Sequence, residues 1–568
     1  MKNVLNKNKP NFIFVIGGVI SGLGKGIFTA SLAKLLQLYG LKINPIKIDP
    51  YLNVDAGTMR PTEHGEVWVT YDGGEIDQDL GNYERFLHIP ISKNNNITSG
   101  KILYELINAE RQGKFLGKTV QYIPHAVNFI EQKLIKIHKQ TEADITIIEV
   151  GGTVGDYESA LFLHTINRMQ RKYNVVTIFM GYILFPPHIH ELKTKPFQHA
   201  LNNLFSYGIF PNFLILRSAK KIDKPRIEKI SAMSNISEKN IIPIKDTKNK
   251  LEIPIILKRY NIHKSMLKLL NIKIKEKSDD QKFKKYKEFV NKINILQKKQ
   301  PQINVGLIGK YIKSGKYALY DTYISVLESI KYAGYALDIN VKIKWIDSTQ
   351  ITEKTDESKL KPLFKDIHAI IVPGGFGSTG IYGKLKSIQY ARENKIPYLG
   401  LCYGLQLATI EFTRNVIGLK NANTTEINPK TPHPVIDILP EQKQILKQNR
   451  YGATMRLGEY RAIIKPNTIV FDVYNQRKRL KKEKSHYYVI ERHRHRYEVN
   501  PKYHKTLQKY GLIFSGMSPD KKLVEFIELP KNKHPYFVAT QAHPEFTSYI
   551  NDPNPLFWGL LKTALSKT

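Results

Sequence analysis

The residue with the clearest chemical potential is the single cysteine. Cys402 sits in Gly400-Leu401-Cys402-Tyr403-Gly404, after an apolar run over 397–401 and before a helix-like segment over 405–413. Glycines two residues to either side let a strand turn sharply into a helix, the elbow that presents a nucleophile at the carboxyl edge of a sheet. Backbone N–H groups at such a helix start favour negative charge on sulfur and on an oxyanion. A thiol nucleophile needs a base, and Gln541-Ala542-His543-Pro544-Glu545 offers His543 for that role, with Glu545 to orient the imidazole. Pro373-Gly374-Gly375-Phe376-Gly377 follows another strand-like run and allows the close backbone approach an oxyanion hole needs. The competing reading is a buried structural cysteine, and the paired glycines argue against it.

A second chemistry lies near the start. Gly17-Gly18-Val19-Ile20-Ser21-Gly22-Leu23-Gly24-Lys25-Gly26 falls between a strand-like and a helix-like segment, where a phosphate cradle belongs. It departs from the usual phosphate-loop pattern twice: Val19 takes the first glycine position, and Gly26 stands where Ser or Thr would hold magnesium. Magnesium must then be held by carboxylates elsewhere. The candidates are Asp77 or Asp79 in Glu75-Ile76-Asp77-Gln78-Asp79, and Glu149 at the end of an apolar strand. Spacing alone does not choose between Asp77 and Asp79.

These residues need two α/β frames to hold them. Over 12–270, strand-like segments (11–16, 144–150, 175–180) alternate with helix-like ones such as 26–38, the pattern of a mostly parallel sheet. Ile272-Lys273-Ile274-Lys275-Glu276-Lys277-Ser278-Asp279-Asp280 opens a charge-dense stretch ending at Pro301, which could form a solvated helix and suits an interdomain connector over 273–300. A second α/β series starts at 303–308 and ends in strand-rich sequence. The expected division is 1–272, 273–300 and 301–568.

Bulk properties narrow the class. The chain has 568 residues and 42% hydrophobic content, enough for sizeable cores. One cysteine excludes an internal disulfide and fits a reducing, cytoplasmic setting. No run is long enough for a membrane span, and the apolar start breaks at Gly17-Gly18 without a cleavage site, so no membrane association is expected. The formal charge is +37, from 87 basic and 50 acidic residues. The lysines are spread along the chain with no nucleic-acid-binding motif, so composition drift explains the excess better than nucleic-acid binding. Arg492-His493-Arg494-His495-Arg496 places three arginines on one strand face, which suits an anionic substrate better than a metal.

The cysteine elbow, the His543–Glu545 pair and the Gly375 loop, in this order, resemble class I glutamine amidotransferase domains. A longer series resembles the CTP synthase family: Asp49-Pro50-Tyr51-Leu52-Asn53-Val54-Asp55, Gly57-Thr58-Met59, His64-Gly65-Glu66-Val67, Gly81-Asn82-Tyr83-Glu84-Arg85-Phe86, Glu149-Val150-Gly151-Gly152-Thr153-Val154-Gly155-Asp156 and Lys193-Thr194-Lys195-Pro196. The resemblance covers about residue 11 to the C-terminus. It implies an α/β protein of two domains, each on a mostly parallel sheet with helices on both faces. The first is a Rossmann-like, P-loop-type synthetase and the second a flavodoxin-like class I glutaminase. It implies phosphorylation of the UTP C4 oxygen by ATP with magnesium, then displacement by ammonia released from L-glutamine through a thioester on Cys402.

The resemblance also implies residue roles. ATP should contact Gly22, Leu23, Gly24, Lys25, Gly26, Ile27, Lys47 and Asp79, with Lys245, Asp246 and Thr247 on the adenine side. Asp79 and Glu149 match the magnesium ligands, which selects Asp79 over Asp77. UTP, or CTP as feedback inhibitor, should lie across Ser21, Gln121, Asp156, Tyr157, Glu158, Lys193, Thr194, Lys195, Pro196, Phe197, Gln198 and Lys229. Glutamine should be held by Gly375, Tyr403, Gly404, Leu405, Gln406, Glu426 and Arg496, with Glu426 on its ammonium and Arg496 on its carboxylate. GTP is implied as an allosteric activator; Arg456 lies in a stretch the family retains but carries no assigned role. A homotetramer that can stack into filaments is implied as well. The departures are Tyr403 for leucine, Ser378-Thr379 where an arginine is usual, Phe197 for threonine, and a segment over 186–192 about two residues short. An amidoligase with another acceptor, or a binding protein that keeps only the fold, are the alternatives.

Overall fold

The computed structural model describes residues 9–60, 65–273, 276–310, 313–314, 317–318, 320–353, 355–438 and 455–568. His64, Ile274 and Lys275 from the stretches quoted above lie outside these. The chain divides into two compact units, Met1–Thr58 with Asp79–Asn294, and Met59–Gln78 with Ile295–Thr568.

The first unit is built on a seven-stranded sheet in the order Asn96–Thr98, Ile43–Asp49, Ile145–Val150, Asn11–Gly17, Asn174–Tyr182, Phe213–Ser218, Ile241–Lys245. Every pairing in it is parallel. Asn11–Gly17 and Ile43–Asp49 are buried at every position, as expected where helices cover both faces of a parallel sheet. The register sets Glu149 between Val15 and Lys47, so a carboxylate and an ammonium meet at the carboxyl edge, where ligands of such sheets bind.

The stretch read over 273–300 as a connector that could form a solvated helix is largely a helix, Glu276–Leu296, and the first unit continues through it to Asn294. Phe283, Tyr286, Val290 and Ile293 are buried at helical spacing, which gives the helix an apolar stripe. The Tyr286 hydroxyl donates to the Leu251 carbonyl at 2.8 Å, and the Asn294 amide to Glu252 Oε1 at 2.8 Å. The many lysines concealed that stripe in a reading by charge density.

The second unit carries a ten-stranded sheet: Val341–Asp347, Ile303–Gly309, Ala369–Val372, Tyr398–Leu401, Phe537–Thr540, Val524–Glu528, Ile513–Met517, Arg456–Ile464, His486–His495, Lys481–Glu483. The pairings are parallel as far as Phe537–Thr540 and antiparallel beyond it. Alternate strand residues feed opposite apolar layers: Ile370 and Val372 on one side, Ile371 and Leu399 on the other.

A hairpin, Val67–Val69 with Glu75–Asp77, belongs to this unit although it lies within 1–272. Trp68 is fully buried against Phe546, 4.8 Å between ring centroids. Arg492 donates to the Val69 carbonyl at 3.2 Å, and Arg494 pairs with Glu75 at 2.8 Å. These two arginines therefore hold the hairpin and do not serve an anionic substrate as expected. The period-two spacing was read correctly, but the partner is a distant segment of the same chain. Arg456 is structural too, bridging Glu498 at 3.0 Å and Glu525 at 2.8 Å.

Candidate active site

The elbow has the geometry its glycines require. The strand Tyr398–Leu401 ends at Cys402, which has φ 50° and ψ −99°, and the helix Tyr403–Asn415 begins at once. A positive φ costs a residue with a side chain about 1–3 kcal/mol, held here by the surrounding packing. A Cβ on Gly400 would lie 2.6 Å from the Tyr398 hydroxyl, and one on Gly404 would lie 2.3 Å from the Val372 carbonyl oxygen. The Cys402 N–H donates to the Thr540 carbonyl at 2.7 Å, which ties the elbow to the neighbouring strand.

That strand delivers the base. His543 Nδ1 lies 2.7 Å from Glu545 Oε1, and the ring stacks on Phe546 at 5.2 Å and 13°. Burial alone would lower the imidazole pKa, but Glu545 and then Cys402 outweigh it and raise it to about 10. A Cβ on Gly374 would lie 2.9 Å from His543 Cε1 and 3.7 Å from Cys402 Cβ, so the glycine loop runs directly against both. Gln541 Nε2 lies 3.7 Å from the Cys402 sulfur. Thiol, base, orienting carboxylate and glycine loop are thus brought together.

Of the expected glutamine contacts, Gly375 and Glu426 cluster at the loop, where the Gly377 N–H donates to Glu426 Oε1 at 2.8 Å. Burial raises the Glu426 pKa, opposed by that N–H, by Lys310 and by Arg496. The Tyr403 hydroxyl donates to the Gly377 carbonyl at 2.9 Å. The side chain of Leu405 is in the apolar core and Gly404 is pressed on Val372, so these two pack the elbow and bring only backbone to a ligand. Gln406 is buried and donates to the Tyr497 carbonyl at 2.9 Å. Lys310, which contacts the Phe376 carbonyl, and Lys384, buried beside Gly375, were missed by the sequence reading. Lys310 follows a sheet strand directly, a signal that was available.

In the first unit, Lys25 opens the helix Lys25–Leu38 behind Gly24 at φ 78°, and its ammonium donates to the Gly152 carbonyl at 2.7 Å. Val19 keeps φ 82°, so the loop holds a glycine-like backbone without the glycine. Lys47 lies 2.5 Å from Asp79 and 3.6 Å from Asp49. Tyr83 hydrogen-bonds Glu149. Burial, opposed chiefly by Lys47, raises the Glu149 pKa to about 7. Burial also lowers the Lys25 pKa, while Asp79 ends below its ordinary value because Lys47 overcomes its desolvation.

Gly26 has a direct explanation: a Cβ there would lie 2.7 Å from Asp79 Oδ1. The space a Ser or Thr would fill belongs to a carboxylate. Asp77, the other candidate, is on the hairpin of the second unit. Magnesium usually takes one or two protein carboxylates and completes its shell with water and phosphate. Asp79 and Glu149 fit that donor set, and among the described residues there is no larger cluster that would form an all-protein cage.

A cavity of about 180 Å³ is lined by Gly24, Ile27, Lys245, Asp246 and Thr247, so two of the segments named above for ATP share one cavity. Arg217, also in its wall, was missed. It donates to the Leu23 carbonyl at 2.5 Å and pairs with Asp246 at 2.5 Å, joining the two segments.

The expected pyrimidine residues are less gathered. Ser21, Gln121, Tyr157, Glu158, Lys195 and Lys229 are exposed, and Pro196 is half-buried. Asp156 accepts from the Thr153 N–H and hydroxyl at 2.7 Å each. Lys193 pairs with Glu191 at 2.6 Å, and Gln198 reaches the buried Thr194 at 3.4 Å. Phe197 is fully buried against Phe179, and Gly181 leaves it room, so its side chain joins the core and does not face a nucleotide. An aromatic ring at that position finds more apolar area inward. The short 186–192 segment closes as a tight loop bridged by Leu184 and Lys193.

Comparison with known proteins agrees with this arrangement. A family model for the CTP synthase N-terminus matches residues 11–272, and one for class-I glutamine amidotransferases matches 318–563. A CTP synthase of Methanococcus aeolicus is 47% identical over 98% of this chain and 99% of its own length. One of Methanococcus maripaludis is 46% identical over 98% and 100%. A solved glutaminase domain of a Trypanosoma brucei CTP synthase with bound acivicin is 34% identical, covering 47% of this chain and 95% of its own, at a TM-score of 0.41. With two family models in order along the chain and relatives matched end to end, the chain belongs to the CTP synthase family.

Proposed function

We propose that the two units divide the family's reaction, the ATP-dependent amination of UTP to CTP with nitrogen from glutamine, between the two sites described. In the second unit, Cys402 attacks the glutamine carboxamide carbon and His543 carries the proton to the departing ammonia. Glu545 keeps the imidazole oriented and supports its positive form. Backbone N–H groups of the Gly375 loop and the elbow receive the oxyanion. Glu426 and Arg496 hold the amino-acid end.

In the first unit, Lys25 and Lys47 offset triphosphate charge, and the Gly24–Ile27 and Lys245–Thr247 walls seat adenosine. Asp79 and Glu149 hold magnesium, which supplies charge neutralisation for phosphoryl transfer to the UTP C4 oxygen. Phosphorylation converts a poor leaving group into one that ammonia can displace, giving CTP, ADP and phosphate. The residues from Ser21 to Lys229 named above for the pyrimidine nucleotide carry it, apart from the Phe197 ring. GTP activation, CTP inhibition, a cytoplasmic homotetramer and filament assembly complete the reading.

The single observation that carries it is the strained thiol at φ 50° set against a 2.7 Å His543–Glu545 pair, in a chain that also holds the Lys25–Lys47–Asp79–Glu149 cluster. The test is CTP formation from UTP, ATP, magnesium and glutamine, with and without GTP. Glutamine hydrolysis without CTP would move the assignment to another acceptor.

A further inference from the structure

Lys384, on the helix Ile381–Glu393, is fully buried, and its ammonium nitrogen has no hydrogen-bond partner. It lies 3.6 Å from where a Cβ on Gly375 would be and 5.4 Å from the centroid of the Tyr403 ring. The same helix is packed tightly on Ser348, since a Cβ on Gly383 would lie 2.1 Å from the Ser348 carbonyl oxygen. Burying an unpaired cation costs several kcal/mol, a cost that packing alone gives no reason to retain when a methionine would fill the same space.

The surroundings show what offsets that cost. The Gly375 loop is already anchored by other groups: Lys310 on the Phe376 carbonyl, Tyr403 on the Gly377 carbonyl, Glu426 on the Gly377 N–H. Lys384 is not needed to hold the loop's shape. It lies beside Gly375 with no acceptor of its own, close enough to Cys402 for the two to interact electrostatically. The π face of Tyr403 attracts a cation at that distance and offsets part of the cost of burying it.

Resting on the glutaminase reading above, we propose that Lys384 is an electrostatic positioning residue for glutamine hydrolysis, setting positive potential behind the Gly375 loop for the oxyanion that forms over Cys402. It touches no substrate and acts through the loop. Burial and then Lys310 lower its pKa to about 7, while Cys402 raises it, so negative charge forming at the thiol site favours the ammonium. A preorganised charge in a water-poor site acts most strongly where charge develops in the transition state.

The test is Lys384→Met in the full-length chain, measured for glutamine hydrolysis, ammonia-dependent CTP formation and thermal midpoint. The expected result is a kcat for glutamine lowered roughly tenfold or more. The KM should stay within about twofold, ammonia-dependent CTP formation should be unchanged, and the midpoint should be equal or higher because a buried charge is gone. An unchanged kcat would overturn the proposal. So would a fall in the midpoint together with both activities, which marks a structural lysine, or a raised KM at constant kcat, which marks a binding role. Lys384→Arg, which keeps the charge, should recover part of the lost kcat; recovery no better than methionine also counts against it. If the wild-type chain itself does not hydrolyse glutamine, the underlying reading fails instead.

Discussion

The two sites are put together in opposite ways. At the thiol site the proposed reacting groups are all supplied by the protein: Cys402 is strained into place, His543 is oriented by Glu545 at 2.7 Å, and the glycine loop is pressed against both. At the nucleotide site charged groups face one another and compensate in part. Lys47 is spent on Asp79, Lys25 on the Gly152 carbonyl, and Glu149 is pushed to about 7 by its burial. The first resembles a device that lacks only its substrate, the second a frame whose charges are balanced by the substrate itself. Covalent catalysis needs a preformed nucleophile, whereas phosphoryl transfer needs positioning and charge, much of which the nucleotide brings.

Mutations should divide along the same line. Cys402→Ala is expected to remove glutamine-dependent CTP formation, a loss of order 10⁶ in the hydrolysis step, while ammonia-dependent formation survives. Equal loss with both nitrogen sources, in parallel assays, would erase the comparison. Glu545→Gln should lower glutamine hydrolysis by roughly 10³ to 10⁴, since the imidazole loses its orienting carboxylate. It also has a pH signature. The folded pKa of His543, about 10, stands above the ordinary 6.5, so the stabilisation is complete below about 6.5 and is lost as pH rises through 10. The stability gap between wild type and Glu545→Gln should therefore be widest at or below pH 6.5 and close toward pH 10 in denaturant titrations. A gap that widens with pH would reverse the assignment.

Lys25→Ala is expected to cost about a hundredfold in CTP formation from either nitrogen source and to leave glutamine hydrolysis itself intact. Normal CTP formation in that variant would take Lys25 out of the phosphate site. Gly26→Ala is the finest probe. Its Cβ would meet Asp79 Oδ1 at 2.7 Å, displacing the carboxylate at a cost of about 1–3 kcal/mol. ATP-dependent turnover should fall about tenfold and need more magnesium to recover. An unaltered magnesium titration would show that Asp79 is not a ligand.

Much of this was legible beforehand, for uneven reasons. The elbow is readable because glycine spacing around Cys402 reports local backbone geometry. The demand for a remote carboxylate was readable because Gly26 carries no hydroxyl. The reading of Arg492 and Arg494 failed because strand periodicity gives a shared face but not what covers it, and the hairpin at 67–77 is far away in sequence. The buried stripe of the helix Glu276–Leu296 was obscured because its apolar residues are diluted by lysine. Phe197 was assigned by position in a motif, and the cavity beside Gly181 decided otherwise.

By itself, the sequence determined the two α/β frames and pointed to the candidate nucleophile, its candidate base and the loop, since each rests on residue type and short-range spacing. Only tertiary structure decided which buried charges face one another. Sheet register set Lys47 beside Glu149, chain crossing gave the hairpin to the second unit, and tertiary packing put Lys384 beside Gly375. Burial and long-range approach determine the energy of a charge, and neither is encoded in the residues next to it.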